Sequence, residues 1–265
     1  MAKICALQLS TLAMSDSRID YYLKLAKEHG ACVVVLGEYV LNSFFTELVK
    51  MPSSMLKEQS EHKRASLCNL AKKYDLTIVA PLIIHKNAKF YKVIAKFTRQ
   101  STKYEEQNIL INYPHWDEAN FFANQRQNGL NLMSFTCDKF KFGVIFGFEA
   151  HFDAVWQELA HKKVDCVIVP TACTLNSKER WNELLKMRAF TNNVYILRAN
   201  RLGKAKFDKI QSEFYGNSQL ISPHGDIVSS LDENEGMLVC ELDKKVLNEA
   251  KNIWKFRETA AHIDK

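Results

Sequence analysis

Glu38 stands just beyond the apolar run Cys32–Leu36, where a carboxylate at a strand end can face a cleft and take up a proton as a general base. A plain solvated strand terminus is the other reading of the same residue. Cys173 follows Pro170 by three residues, at the end of a second apolar run, Val164–Pro170. A thiol there can act as a nucleophile if it faces the same cleft, whereas a small buried core thiol is the commoner fate of a lone cysteine. Glu106, in Lys103-Tyr104-Glu105-Glu106, reads by itself as a surface charge. His115 and His151 can serve as acid or base, or simply cap turns. Trp116 and Trp181 could line a pocket, and Phe121 and Phe122 are expected to pack in a core. No metal is expected, because His, Cys and Asp nowhere cluster at zinc spacing. Gly143 and Gly147 do not form a phosphate-binding loop.

The elements that must position these groups follow from hydrophobic patterning. Short apolar runs read as buried strands at Ile4–Leu9, Cys32–Leu36, Leu76–Ile84, Phe142–Phe148, Val164–Pro170, Val194–Asn200, Asn217–Ser222 and Met237–Leu242. Helical periods lie between several of them, over Asp16–His29, Ser53–Tyr74, Phe152–Lys162 and Lys178–Asn192. Strand and helix alternate early, and later strands are joined by turns such as Lys86-Asn87-Ala88 and Pro223-His224-Gly225. That order predicts helices packed outside paired sheets rather than a pure doubly wound sheet. No linker, repeat or low-complexity tract divides residues 1–265, so one domain is expected.

Composition narrows the classes. The net charge of +6 is spread along the chain with both signs interleaved, which gives nucleic-acid binding no footprint. The seven cysteines form no CxxC pair and sit in apolar segments, as expected of reduced thiols in the cytoplasm. Met1–Leu9 reads as a first strand rather than a secretion signal, because Gln8 and Ser10 interrupt the apolar run. No apolar run approaches the roughly 20 residues of a membrane-spanning helix.

An ordered set of segments resembles the nitrilase, or carbon–nitrogen hydrolase, family. Val35-Leu36-Gly37-Glu38 is similar to its strand ending in a catalytic Glu, with Gly37 where a Pro is usual. Phe142-Gly143-Val144-Ile145-Phe146-Gly147-Phe148-Glu149 is similar to the strand and elbow that carry the nucleophilic Cys. Val169-Pro170-Thr171-Ala172, Trp181, Arg188-Ala189-Phe190, Asn193, Tyr195, Ala199-Asn200-Arg201 and Gly203 keep the family's spacing. Phe214-Tyr215-Gly216-Asn217-Ser218 and Ser222-Pro223-His224-Gly225 match its closing hairpin region.

The resemblance implies a four-layer α-β-β-α sandwich and a homodimer or larger homo-oligomer, with Phe152–Lys162 and Lys178–Asn192 as candidate interface helices. It also implies hydrolysis of non-peptide C–N bonds, without cofactor, by a Cys, a Glu and a Lys, assisted by a second Glu. Glu38 falls on the general-base position and Glu118 on the second Glu. The Cys position reads Gly147, and the Lys position falls on Glu106, or on Glu105 or Gln107 if the register slips by one. A site with three carboxylates and no base would prefer a cation. The expected function is therefore a degenerate family member without thiol hydrolysis that binds an amine or other small cationic ligand. The alternative is an active amidase or carbamoylase that uses Cys173, or water activated by Glu38.

Overall fold

The computed structural model describes residues 1–124, 129–174, 177–207 and 210–263. Sixteen strands and eight helices are assigned among them. The first sheet contains β1 (Ala2–Gln8), β2 (Val33–Leu36), β3 (Thr77–Lys86), β4 (Lys89–Phe97), β5 (Thr102–Glu106) and β16 (Gly236–Leu242), in the order β16-β1-β2-β3-β4-β5. The second contains β8 (Met133–Cys137), β9 (Phe140–Val144), β10 (Cys166–Thr171), β11 (Tyr195–Asn200), β14 (Gln219–Ile221) and β15 (Ile227–Ser230), in the order β15-β14-β11-β10-β9-β8.

The central strands are apolar throughout because both of their faces are covered. In β1, Ile4 and Ala6 meet the second sheet, while Cys5 and Leu7 meet the helices α1 (Ser17–Glu28) and α3 (Ser53–Tyr74). In β10, Cys166 and Ile168 face inward, and Val167 and Val169 face α5 (Asp153–His161) and α6 (Lys178–Asn192). The period of two thus builds three apolar layers, and the result is the four-layer α-β-β-α sandwich expected.

Several strands differ from those expected. The run Phe142–Phe148 is a strand only to Val144, because a short 3-10 turn over Phe148–His151 takes over at the elbow. Strands β4, β5 and β8 carry too many lysines and polar residues to stand out as apolar runs. The turn after Lys86 places Asn87 at φ 52° and Ala88 at φ 57°, the paired left-handed conformation that a tight hairpin needs, and this fixes the register of β4 on β3. A hairpin of β12 (Leu202–Phe207) and β13 (Ile210–Tyr215) follows β11 and brings Phe207 to the wall of the cleft. No helix among the described residues is long and apolar enough to cross a membrane.

Helix α7 (Lys244–Trp254) is tied to the second sheet by Asp165, which accepts from Lys244 Nζ at 2.6 Å, Lys251 Nζ at 2.9 Å and the Lys141 amide at 3.0 Å. Burial pushes this carboxyl up, but the two ammonium groups and the amide outweigh it and hold it below the usual aspartate range. A depressed acid contributes stability above its unfolded value of 3.8, and that contribution is lost as pH falls through the folded value. Asp165→Asn is expected to cost roughly 1 kcal/mol near neutral pH, since the lysines are partly solvated. Urea midpoints of the two proteins should draw together as pH falls below 3.8.

Candidate functional site

The site lies where β2 and β10 end side by side. Gly37 lets the main chains of the two sheets touch, since a Cβ there would sit 3.1 Å from Arg201 N and 3.2 Å from Ala199 O. The Glu38 amide then donates to Thr171 O at 3.2 Å, and the side chain lies beside the elbow. Tyr39 follows at φ 57°, a strained conformation for a side-chain-bearing residue. It is held because Arg201 Nη1 donates to its carbonyl at 2.7 Å and Thr11 Oγ1 does so at 3.1 Å.

Glu38 is buried, and both of its oxygens are engaged. Oε1 accepts from the Gly147 amide at 3.1 Å, and Oε2 meets Lys92 Nζ at 2.6 Å. Lys92 also meets Glu118 Oε1 at 2.7 Å, so one ammonium bridges two carboxylates, and all three side chains are at most 6% exposed. The same Glu118 oxygen accepts from the Tyr39 hydroxyl and from Trp116 Nε1 at 3.0 Å. Burial pushes the Glu38 carboxyl up, opposed by Lys92 and reinforced by Glu118. Burial alone would drive the Lys92 ammonium down, but Glu118 and Glu38 outweigh it and hold it up.

Lys92 corrects the expectation for the lysine position. Glu106 pairs with Val93 across β4 and β5, and Val93 packs into the layer beneath the helices, so Glu106 lies on that outer face. Lys92 and Ile94 occupy the opposite face, between the sheets. Among the described residues Glu106 makes no hydrogen bond or ion pair with Glu38 or Glu118. The expected cation preference loses its premise as well, because the pocket holds two carboxylates with a lysine between them rather than three without one.

Gly147 has φ −53° and ψ −47°, an ordinary helical conformation open to any residue. Space is what excludes a side chain, since a Cβ would lie 2.8 Å from Thr171 Cγ2, 3.1 Å from Glu38 Oε1 and 3.3 Å from Pro170 O. Glu149 secures the elbow from below, accepting from the Phe146 amide at 3.0 Å and the Asn108 amide at 2.7 Å.

Glu38 and Gly147 open into a cavity of about 1010 Å³ whose walls include Trp116, Phe207, Trp181 and Cys173. His115 and His151 also line it, whereas Phe121 and Phe122 pack with Phe45 in the core beneath the hairpin. Burial raises the Cys173 thiol, against the pull of Arg198 and Thr171. Among the described residues no hydrogen bond joins Cys173 to Glu38. Arg198 itself is fully buried on β11, with Nε donating to Thr171 Oγ1 at 3.2 Å and Nη2 to the Tyr215 hydroxyl at 2.9 Å. Among the described residues its Nη1 has no hydrogen-bond partner, and its guanidinium lies over the rings of Trp181 and Tyr215.

The carbon-nitrogen hydrolase family matches residues 9–252. The chain is 23% identical over 270 residues to an Arabidopsis thaliana protein named N-carbamoylputrescine amidase, covering 94% of this chain and 87% of that one. It is 23% identical over 199 residues to a Synechocystis deaminated glutathione amidase, covering 70% and 71% of the two chains. Among solved structures, a carbon-nitrogen hydrolase from Helicobacter pylori G27 superposes with a TM-score of 0.84 at 18% identity, covering 97% of this chain and 94% of the other. An amidase from Nesterenkonia sp. superposes with a TM-score of 0.78 at 18% identity, covering 94% and 92%.

Proposed function

Since the chain belongs to the carbon–nitrogen hydrolase family, we propose that it is a ligand-binding member that has given up thiol hydrolysis. It keeps a buried acid–lysine–acid frame and an aromatic-walled cavity, and it holds a small molecule bearing a carboxamide or ureido group without breaking the C–N bond. The observation that carries this reading is the elbow, where the Gly147 amide faces Glu38 and Thr171 fills the space a nucleophile's Cβ would need. Without an attacking atom, the remaining groups can polarise a carbonyl but cannot form an acyl-enzyme, and losing a nucleophile typically removes about six powers of ten in rate.

The ligand class follows from the same frame. A neutral amide can present N–H donors to Glu38 in the cavity wall, whereas a bare amine would meet a carboxylate already paired with Lys92. The relatives named as amidases of carbamoyl and peptide-like compounds support the choice of amide and ureido probes. A second reading, hydrolysis by Cys173, draws on its place in the same cavity wall. It is the weaker of the two, because among the described residues no hydrogen bond joins Cys173 to Glu38 and burial raises the thiol.

Thermal stabilisation across amines, amides, carbamoyl compounds and nitriles, with ammonia followed in the same wells, tests both. Stabilisation by a neutral amide or ureido compound without ammonia is the expected result. Ammonia release that Glu38→Gln or Cys173→Ser abolishes would overturn it in favour of a working hydrolase.

A further inference from the structure

A second cluster of reactive side chains lies at the other end of β2. Cys32 precedes the strand that Glu38 follows, and the intervening residues, extended at about 3.3 Å each, put roughly 20 Å between the two. Cys137 ends β8 in the opposite sheet, and Asp138 opens the two-residue turn into β9 with φ 44°, followed by Lys139 at φ 67°. The Cys32 sulfur, the Cys137 sulfur and a carboxylate oxygen of Asp138 all lie within 4.8 Å of one another. They open onto a cavity of about 660 Å³ that Lys27, Asp75 and Arg99 also line.

We propose that Cys32, Cys137 and Asp138 form a binding site for a thiophilic divalent cation of the zinc type, which links the two sheets at the end remote from Glu38. Two thiolates and a carboxylate are a donor set that such an ion favours over calcium or magnesium. Tetrahedral coordination at a zinc–sulfur distance of about 2.3 Å brings ligand atoms to roughly 3.7 Å apart, so the trio needs to contract by no more than about 1 Å. The backbone is prepared for this, because the Cys32 amide donates to Lys3 O at 2.8 Å and its carbonyl accepts from the Thr77 amide at 3.1 Å. On the other side the paired register Cys137↔Phe140 fixes the hairpin.

The fourth coordination position faces the cavity, where water completes the shell. Binding displaces the two thiol protons to solvent, so three anionic ligands and a dication leave one net negative charge. Lys27 and Arg99 in the cavity wall offset it. The site was invisible in the linear spacing of the chain because its ligands come from two sheets.

The test uses the full-length protein, reduced and stripped of metal by a chelator. Cobalt(II) and then zinc are titrated in, and thiolate-to-cobalt charge-transfer absorption is recorded with zinc competition. One equivalent of cobalt with thiolate absorption, displaced by zinc, is expected. Cys32→Ser and Cys137→Ser should each remove the absorption, Asp138→Asn should weaken zinc binding about tenfold or more, and Cys68→Ser should change nothing. Asp138 is exposed, so its variant tests the site even where a cysteine variant fails to fold. Absence of thiolate absorption in the reduced wild type, its retention in a folded Cys137→Ser variant, or zinc binding unchanged in Asp138→Asn would each overturn the proposal. So would a Cys32–Cys137 disulfide that resists mild reductant, which would make the pair a covalent staple instead.

Discussion

Lys92→Met is expected to destabilise the fold by about 3–5 kcal/mol at neutral pH, because it leaves two carboxylates buried with no cation between them. Methionine keeps the length and most of the volume of the stem, so packing loss is minor. The penalty depends on pH in a defined direction. Without Lys92, Glu38 loses the main opposition to its burial and its folded pKa rises further above the usual value of 4.5. Between that value and the raised one the folded state binds more protons than the unfolded state, so the variant's stability falls as pH rises and recovers on acidification. Urea unfolding at about pH 7 and about pH 5 should give a smaller gap from wild type at the lower pH. The double variant Lys92→Met/Glu38→Gln should recover part of the loss, since it removes one of the stranded charges. A loss under about 1 kcal/mol would mean that the ammonium is not held between Glu38 and Glu118.

Restoring a thiol at the elbow is the second large effect. Gly147→Cys alone is expected to cost about 1–3 kcal/mol by overpacking against Thr171 and to gain no hydrolysis. Thr171→Ser removes the methyl that lies 2.8 Å from the new Cβ. It keeps the hydroxyl, which donates to Asn200 Oδ1 at 2.9 Å and accepts from Arg198 Nε at 3.2 Å. In the double variant Gly147→Cys/Thr171→Ser the thiol stands next to Glu38, with Lys92 behind it. Alkylation by iodoacetamide at position 147, mapped by mass spectrometry, should then be at least tenfold faster than in the single variant, in line with a base placed to take the thiol proton. Ammonia release from an amide or ureido compound should accompany it. Equal stability and equal reactivity in the single variant would show that Thr171 does not close the elbow.

The contrast between Glu38 and Lys92 shows how far the site could be read along the chain. Glu38 ends a run buried on both faces, so strand, strand end and cleft follow from one stretch of residues. The central parallel strands were legible for the same reason. Lys92 sits on a strand with Lys89 and Lys96, a pattern that resembles a solvated face. Only the pairing of β4 with β3 and β5 decides which lysines point between the sheets, and that pairing is set by contacts distant in sequence. A shift of one residue puts a side chain on the opposite face. Reading the lysine position at Glu106 therefore found a residue close along the ladder but facing the wrong way. The replacement at Gly147 was legible by position, whereas its closure by Thr171 depends on the neighbouring strand.

Arg198 gives the cavity a direction. The guanidinium is fully buried, with Nη1 unmatched among the described residues, and it is poorly screened by solvent. It lies behind the wall formed by Thr171, Cys173 and Trp181, while the carboxylate of Glu38 stands at another wall of the same cavity. The space between them is spanned by an electric field that runs from Arg198 toward Glu38. A dipolar guest gains energy in only one of its two orientations, with its electron-rich end toward Arg198 and its N–H donors toward Glu38. The polarity of the cavity thus selects which way round a molecule enters before any single contact has formed.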